Sequence, residues 1–187
     1  MEDGRLVRSH HWILAPAKDD RGRYRRRYEI ASLEVSGITW KQILAGTPIN
    51  QALDELREFA NLHHAHELPV VAYNASFDFA MYTDQLFLCG CYDRSQRRFH
   101  AVRPPMVGPW ICARLAAQAQ LDLPDYKLDT VAAHFGMKRP ERNHDALADA
   151  ILTGQVFHKL RLDRQARAGP LPLPHAPNAG SITAELG

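Results

Sequence analysis

The sequence predicts an α/β fold, because a short buried strand stands between two segments of helical pattern. Residues 69–73 (PVVAY) form an apolar run that ends at Asn74, which is typical of a strand buried in a sheet. The residues before it, 49–62, have the periodicity of an amphipathic helix, and residues 75–88 after it also have a helical pattern. A length of 187 residues, with 45% hydrophobic and 24% charged residues, suits one globular domain.

The N-terminal part of the chain has weaker signals. Asp3 and Gly4 predict a hairpin turn, and residues 5–14 after them have the composition of a strand. Residues 15–27 are charged and predict a loop that leads into a basic strand or arm. Residues 36–39 (SGIT) predict a turn ahead of the helix at 49–62.

The middle of the chain alternates between irregular and regular segments. Residues 89–109 are rich in glycine, arginine and proline, which predicts a surface insertion or long loop. Residues 110–115 predict a strand that passes into a helix. A second amphipathic helix is expected over residues 127–135, and Gly136 is the residue expected to end it.

A long helix is expected to close the folded part of the chain. Asp145 is a suitable N-cap, and the helix is predicted to run to about Leu160. Ala146, Ala150 and Gly154 form a stripe of small residues that would let this helix lie close to a sheet. We therefore predict a folded domain over residues 1–162 and a proline-rich, disordered tail over residues 163–187.

Charge, cysteine content and hydropathy limit the class of protein but do not identify a ligand. The net charge of +2 permits a polyanionic ligand but does not argue for one. The sequence has three cysteines, Cys89, Cys91 and Cys112. A disulfide framework needs an even and larger number, so a reduced cytoplasmic protein is expected. No apolar run approaches the length of a membrane-spanning helix, and we expect no membrane partner.

Two segments carry the residues suited to chemistry. Asp78 follows the predicted buried strand at the start of a helix. His144 immediately precedes the last helix, and Asp149 lies in that helix's first turn, where the helix dipole favours an ionised acid. Carboxylate oxygens are the ligands that hard divalent cations prefer, and two such cations can stabilise both the attacking and leaving oxygens of a phosphodiester.

These segments resemble two motifs of the histidine-containing (DEDDh) branch of the DEDD exonucleases. NASFD, at residues 74–78, is similar to the second motif, and HDALADA, at residues 144–150, is similar to the third. This branch includes the proofreading epsilon subunit of bacterial DNA polymerase III and ribonuclease T. The resemblance extends over SGIT and KLDTVAAHFGM and spans most of the chain, from residue 4 to residue 157.

The resemblance implies a ribonuclease-H-like, three-layer α/β/α fold and a metal-dependent 3′→5′ exonuclease. It implies that Asp78 and Asp149 bind two Mg²⁺ or Mn²⁺ ions, that His144 is the general base, and that Asn74 and Phe77 contact substrate. The implied substrate is a single-stranded DNA or RNA 3′ end, with DNA preferred, and a DNA polymerase is the protein partner that the family allows. Two alternatives stay open: a catalytically inactive nucleic-acid-binding protein and an oligoribonuclease-like RNA exonuclease.

A basic run supplies a further candidate contact with nucleic acid. Residues 21–28 contain Arg25 and Arg27, with tyrosines interleaved between the arginines. Such a run could hold phosphates and stack on bases, or it could be a solvated charged hairpin.

The chain departs from the family at its first motif. In the family this motif is D-x-E on the first strand, and nothing in this sequence matches it. We therefore expect a domain that is incomplete at its N-terminus, lacks its first strands and shows little activity in this form. A start codon placed too late would explain this, and so would a degenerate relative; the first explanation is favoured because the other motifs are intact.

Overall fold

The computed structural model describes residues 6, 8–18, 21, 33–34, 36–62, 68–88, 92–93, 98–99, 108–139 and 145–168. These residues do not include the turn predicted at residues 3–4, the basic run beyond Arg21, or residues 169–187 of the tail predicted over residues 163–187. The structural statements below concern the described residues.

The described chain is a mixture of helices and short strands. In chain order the elements are α1 (Trp40–Leu44), α2 (Ile49–Leu62), β1 (Val70–Ala72), α3 (Ala75–Leu88), β2 (Tyr92–Asp93), β3 (Arg98–Phe99), β4 (Trp110–Cys112), α4 (Ala113–Gln118), α5 (Leu128–His134) and α6 (Ala146–Ala168). The predicted α/β class is confirmed. The bounds of α2 and α3 are those that the sequence predicts, and the predicted passage from strand to helix at residues 110–115 is also present.

A parallel pair of strands separates helices on two sides. Strand β1 pairs with β4, in a register that places Val71 opposite Ile111. The side chain of Trp110 contacts Phe79 and Tyr82 of α3. Val71 and Ile111 instead line a cleft against α6. Because successive residues of a strand point to opposite faces, α3 and α6 cover opposite faces of this small sheet.

The main apolar core lies where α6 packs on α4 and α5. Leu152, Val156 and Leu160 recur every four residues of α6 and are buried. They pack with a second set of buried residues from α4, α5 and the loop between them: Ala117, Leu121, Leu128, Val131 and Ala132. The β1 residues are only half-buried, so this helical core, more than the strand, excludes water from the domain.

Local polar contacts fix the starts of two helices, α1 and α6. Thr39 and Gln42 form a capping box at the start of α1. Asp145 accepts hydrogen bonds from the amides of Leu147 and Ala148, at 2.9 and 3.1 Å, which confirms it as the N-cap of α6.

Helix α5 ends in a Schellman motif, which confirms the predicted stop at Gly136. The amide of Met137 donates to the Ala132 carbonyl, and the amide of Gly136 donates to the Ala133 carbonyl, both at 2.9 Å. Gly136 has φ +71°, a left-handed conformation that a glycine adopts without steric cost. The chain leaves α5 in a defined direction as a result.

The structure differs from the sequence prediction at the N-terminal segment. Of the predicted strand over residues 5–14, the described part shows only a single parallel bridge between Leu14 and Thr47. Side chains hold this segment instead: the Trp12 indole donates to Glu55 at 2.6 Å, and His10 contacts the ring of Phe59. The predicted strand is wrong for these residues, because their apolar and aromatic side chains pack on α2 without a continuous ladder.

Two further differences concern lengths and loops. Helix α6 continues to Ala168, well beyond the predicted end near Leu160. Arg167 near its end donates to the Gln120 carbonyl at 3.0 Å, which fastens the extra turns to the end of α4. The segment 89–109, predicted as a loop, contains the antiparallel pair β2 and β3.

None of the described helices combines the length and the apolar character needed to cross a membrane.

Truncating Leu160 should destabilise the domain much more than truncating Leu162. Leu160 is fully buried, whereas Leu162 is 42% exposed on the same helix. We expect Leu160→Ala to lower the free energy of unfolding by about 2–5 kcal/mol. The matched Leu162→Ala variant should change it by about 0.5 kcal/mol or less. Urea unfolding followed by circular dichroism measures both; equal losses would contradict the packing of α6 described above.

Candidate active site

The first candidate segment is the junction between β1 and α3. The chain leaves β1 at Tyr73, and the amides of Phe77 and Asp78 donate to the Asn74 carbonyl at 2.9 and 3.2 Å. These bonds form the first turn of α3, which contains Asp78. The Asn74 side chain accepts from Arg114 at 3.3 Å, so the ends of β1 and β4 meet at one edge of the sheet.

Asp78 is held at the surface in a partly desolvated position. The residue is exposed, but neighbouring helix atoms remove part of the hydration of its carboxyl group, and this raises its pKa. Hydrogen bonds from the amides of Asp78 and Asn74 act in the opposite direction and are the smaller effect. A carboxylate in such a position gains from a nearby cation that restores the lost solvation.

The second candidate segment is the N-terminal end of α6. Asp149 lies in the first turn, and its amide donates to the Asp145 carbonyl at 2.9 Å. Its side chain is 29% exposed, yet the atom Oδ1 is buried and has no hydrogen-bond partner among the described residues. Ala150, the next residue, lines the cleft with Val71 and Ile111, which places this end of α6 against the sheet.

Arg139 connects Asp149 to helix α5. Its Nε donates to Asp129 Oδ1 at 2.8 Å. Its Nη1 lies 3.2 Å from Asp149 Oδ1 and donates to Asp149 Oδ2 at 3.4 Å. The arginine side chain is only 13% exposed, so its charge depends on these two carboxylates for neutralisation.

Two tyrosines attach the end of β1 to the loop between α4 and α5. Tyr73 donates its hydroxyl hydrogen to the Tyr126 carbonyl, and Tyr126 donates its own to the Leu121 carbonyl, both at 2.8 Å. Burial raises the pKa of the Tyr73 phenol to about 12, with Asp125 acting in the same direction and Arg114 against it. This contact fixes the backbone immediately before Asn74.

The structure places some of the predicted site residues and leaves others outside. Asp78 and Asp149 lie in the first turns of helices on opposite faces of the sheet. Phe77, predicted to contact substrate, is 62% exposed. His144, Arg25 and Arg27 lie outside the described residues, so their roles stay predictions.

The donor atoms suit a hard divalent cation in kind. Both residues offer carboxylate oxygens, and the buried Oδ1 of Asp149 has an acceptor position that no hydrogen bond fills. Among the described residues, no group of three His, Cys, Asp or Glu side chains comes together in a way that could hold a metal ion. Asp78 and Asp149 therefore fit as part of a ligand set, and the predicted two-metal site stays a prediction.

Sequence reasoning missed Arg139 and Asp129 as neighbours of the site. Arg139 is ten positions from each of its two carboxylate partners. No helical or strand periodicity connects residues at that spacing, so only the tertiary packing of α5 on α6 brings them together. The helix end at Gly136, which the sequence does predict, was the available signal for where the chain after α5 would go.

Comparison with known proteins gives distant relatives. Two proteins named DNA polymerase III PolC-type, from Thermotoga petrophila and Thermotoga maritima, are each 27% identical to this chain over 157 residues. The aligned region covers 84% of this chain and 10% of either relative. The chain thus spans about a tenth of the length of the curated relatives it matches, and is distantly similar to one region of a PolC-type DNA polymerase III. No family model matches the chain, and no solved structure matches it significantly.

Ionisation of Tyr73 should weaken the fold at high pH. Because the folded-state pKa of about 12 lies above the ordinary value of 10.0, the contribution of this group is present below pH 10 and is lost as the pH rises through 12. In Tyr73→Phe the hydrogen bond is absent, which should cost about 1 kcal/mol at pH 8. The difference from the parent protein should shrink between pH 10 and 12. Urea unfolding at several pH values measures this, and parallel stability curves for the two proteins would contradict it.

Proposed function

We propose that this chain is a divalent-metal-dependent 3′→5′ exonuclease domain of the DEDDh type, with a ribonuclease-H-like fold, that acts on DNA 3′ ends. One observation carries the proposal: Asp78 and Asp149 each lie in the first turn of a helix, and those helices cover opposite faces of the same parallel strand pair. An acid at the start of each of these helices is what the resemblance of NASFD and HDALADA to the family motifs implies.

The comparison with known proteins supports the same class from a separate direction. The distant relatives are DNA polymerase III proteins, and the sequence motifs resemble those of the proofreading subunit of bacterial DNA polymerase III. DNA is therefore the substrate that we propose, and association with a DNA polymerase is the protein contact that goes with it.

The chain's own residues would divide the work as follows. Asp78 and Asp149 would hold the metal ions, whose bound charge would stabilise the attacking and leaving oxygens of the phosphodiester. His144 would take the proton from the attacking water at an imidazole nitrogen. Asn74, fixed at the end of β1, and the exposed ring of Phe77 would contact the terminal nucleotide, and Arg25 and Arg27 would contact phosphates.

A nucleic-acid-binding protein without catalysis is the second candidate. The observation that favours it is the pairing of Asp149 with Arg139, together with the lack of any three-ligand group among the described residues. Such a protein would bind single strands and leave them intact.

Neutralising the predicted ligands should remove nuclease activity. We expect the protein to shorten a 5′-labelled single-stranded DNA only slowly from its 3′ end in Mn²⁺, because no D-x-E motif supplies the two further carboxylates, and to be inactive in a chelator. Asp78→Asn and Asp149→Asn should each lower the rate at least about a hundredfold, because a carboxylate ligand is lost. Asp163→Asn removes a charge near the other end of α6 and should leave the rate unchanged.

His144→Ala separates base from ligand. It should lower the rate by about a hundredfold or more while leaving Mn²⁺ affinity, measured by calorimetry, unchanged.

A short RNA digested in preference to DNA would point to the RNA exonuclease. Strand binding without digestion would support the non-catalytic candidate, and absence of both would contradict the proposal.

A further inference from the structure

We propose that Arg139 occupies the carboxylate of Asp149 in the metal-free protein and that a divalent cation must displace it. Arg139 would then be a positioning residue that sets the metal affinity of the site, with Asp129 as its anchor. This inference rests on the proposed function, because it takes Asp149 to be a metal ligand.

The two contacts of Arg139 are unequal. The bond from Nε to Asp129 Oδ1 is 2.8 Å, a normal length for a charge-assisted hydrogen bond. The approach of Nη1 to Asp149 is longer, 3.2 Å to Oδ1 and 3.4 Å to Oδ2, and is divided between the two oxygens. The guanidinium group is therefore fastened to α5 and reaches Asp149 only loosely.

Asp149 retains the capacity to take another partner. Its Oδ1 atom is buried and forms no hydrogen bond with the described residues, although Arg139 neutralises its charge from a short distance. A small cation could bind that oxygen once the contact with Arg139 opens, whereas the planar guanidinium group forms no well-directed bond to it from its position on Asp129.

A cation at Asp149 would have to displace only one of the two contacts of Arg139. When the loose contact with Asp149 breaks, Arg139 keeps its bond to Asp129, so its largely buried charge is not left without a partner. Charge balance is also preserved, because the incoming cation takes over the neutralisation of Asp149. Metal binding would thus replace the Arg139–Asp149 contact, keep the Arg139–Asp129 contact, and leave α5 and α6 in place.

Removal of the competing charge should tighten metal binding. In Arg139→Gln we expect the Mn²⁺ dissociation constant, measured by calorimetry on the full chain, to fall by about tenfold, since a positive charge beside the ligand is lost. Arg139→Lys keeps a positive charge beside the ligand and should stay within about twofold of the parent protein. The control Arg164→Gln removes an exposed arginine that lies on α6 about 22 Å from Asp149, and it should leave Mn²⁺ affinity unchanged.

Thermal unfolding supplies a readout that does not involve activity. Without metal, Arg139→Gln should melt at a lower temperature than the parent protein, because Asp149 and Asp129 lose their shared cation. Mn²⁺ should raise the melting temperature of the variant more than that of the parent, because its metal binding is tighter.

Asp149→Asn separates failure of this inference from failure of the proposed function. If Asp149→Asn loses Mn²⁺ binding and Arg139→Gln tightens it, both hold. If Asp149→Asn loses binding but Arg139→Gln leaves it unchanged or weaker, the competition is wrong and the proposed ligand stands. If Asp149→Asn binds Mn²⁺ as the parent does, the proposed ligand is wrong and the inference fails with it.

Discussion

The packing of α6 on α4 and α5 is the interaction on which the rest of the described structure depends. Within the described residues the parallel sheet has two strands of three residues each, and an isolated sheet of that size has too few bonds and too little apolar surface to be stable. Val131, Val156 and Leu160 are fully buried between the helices and supply the apolar contact that the sheet lacks. The same packing brings the first turn of α6 beside Arg139. The packing that forms the core therefore also positions part of the candidate site.

Prediction from the sequence succeeded where the signal is local. Helices α2 and α3, the cap at Asp145 and the stop at Gly136 depend on periodicity or on one residue's backbone preference, and each is present. It failed where a distant partner decides the outcome. Residues 10–14 carry strand-forming side chains, but contacts with Glu55 and Phe59 of α2 hold them without a ladder. The extra turns of α6 follow from good helix-forming residues that run up to Gly169 and Pro170, a stop signal that the apolar pattern alone overlooks.

The candidate site shows the same division between local and distant information. Asp78 and Asp149 can be found from the sequence because each belongs to a short, recognisable motif at a helix start. Arg139 cannot be found in this way, because its two partners lie ten positions away in opposite directions and meet it only after α5 packs on α6. Tyr73 likewise has no sequence signal beyond its place in an apolar run, yet its hydroxyl attaches β1 to the carbonyl of Tyr126.

The two candidate carboxylates, Asp78 and Asp149, have different charged neighbours, although their backbone settings are alike. Both lie in the first turn of a helix, where exposed amides and the helix dipole favour a negative charge. Burial raises the pKa of Asp78, and among the described residues the amides of its own turn offset part of this effect. Asp149 has a guanidinium group within 3.2 Å. Helix dipoles alone therefore do not set the charge at this site, and the residues that the neighbouring helix α5 contributes decide how strongly the second carboxylate is neutralised.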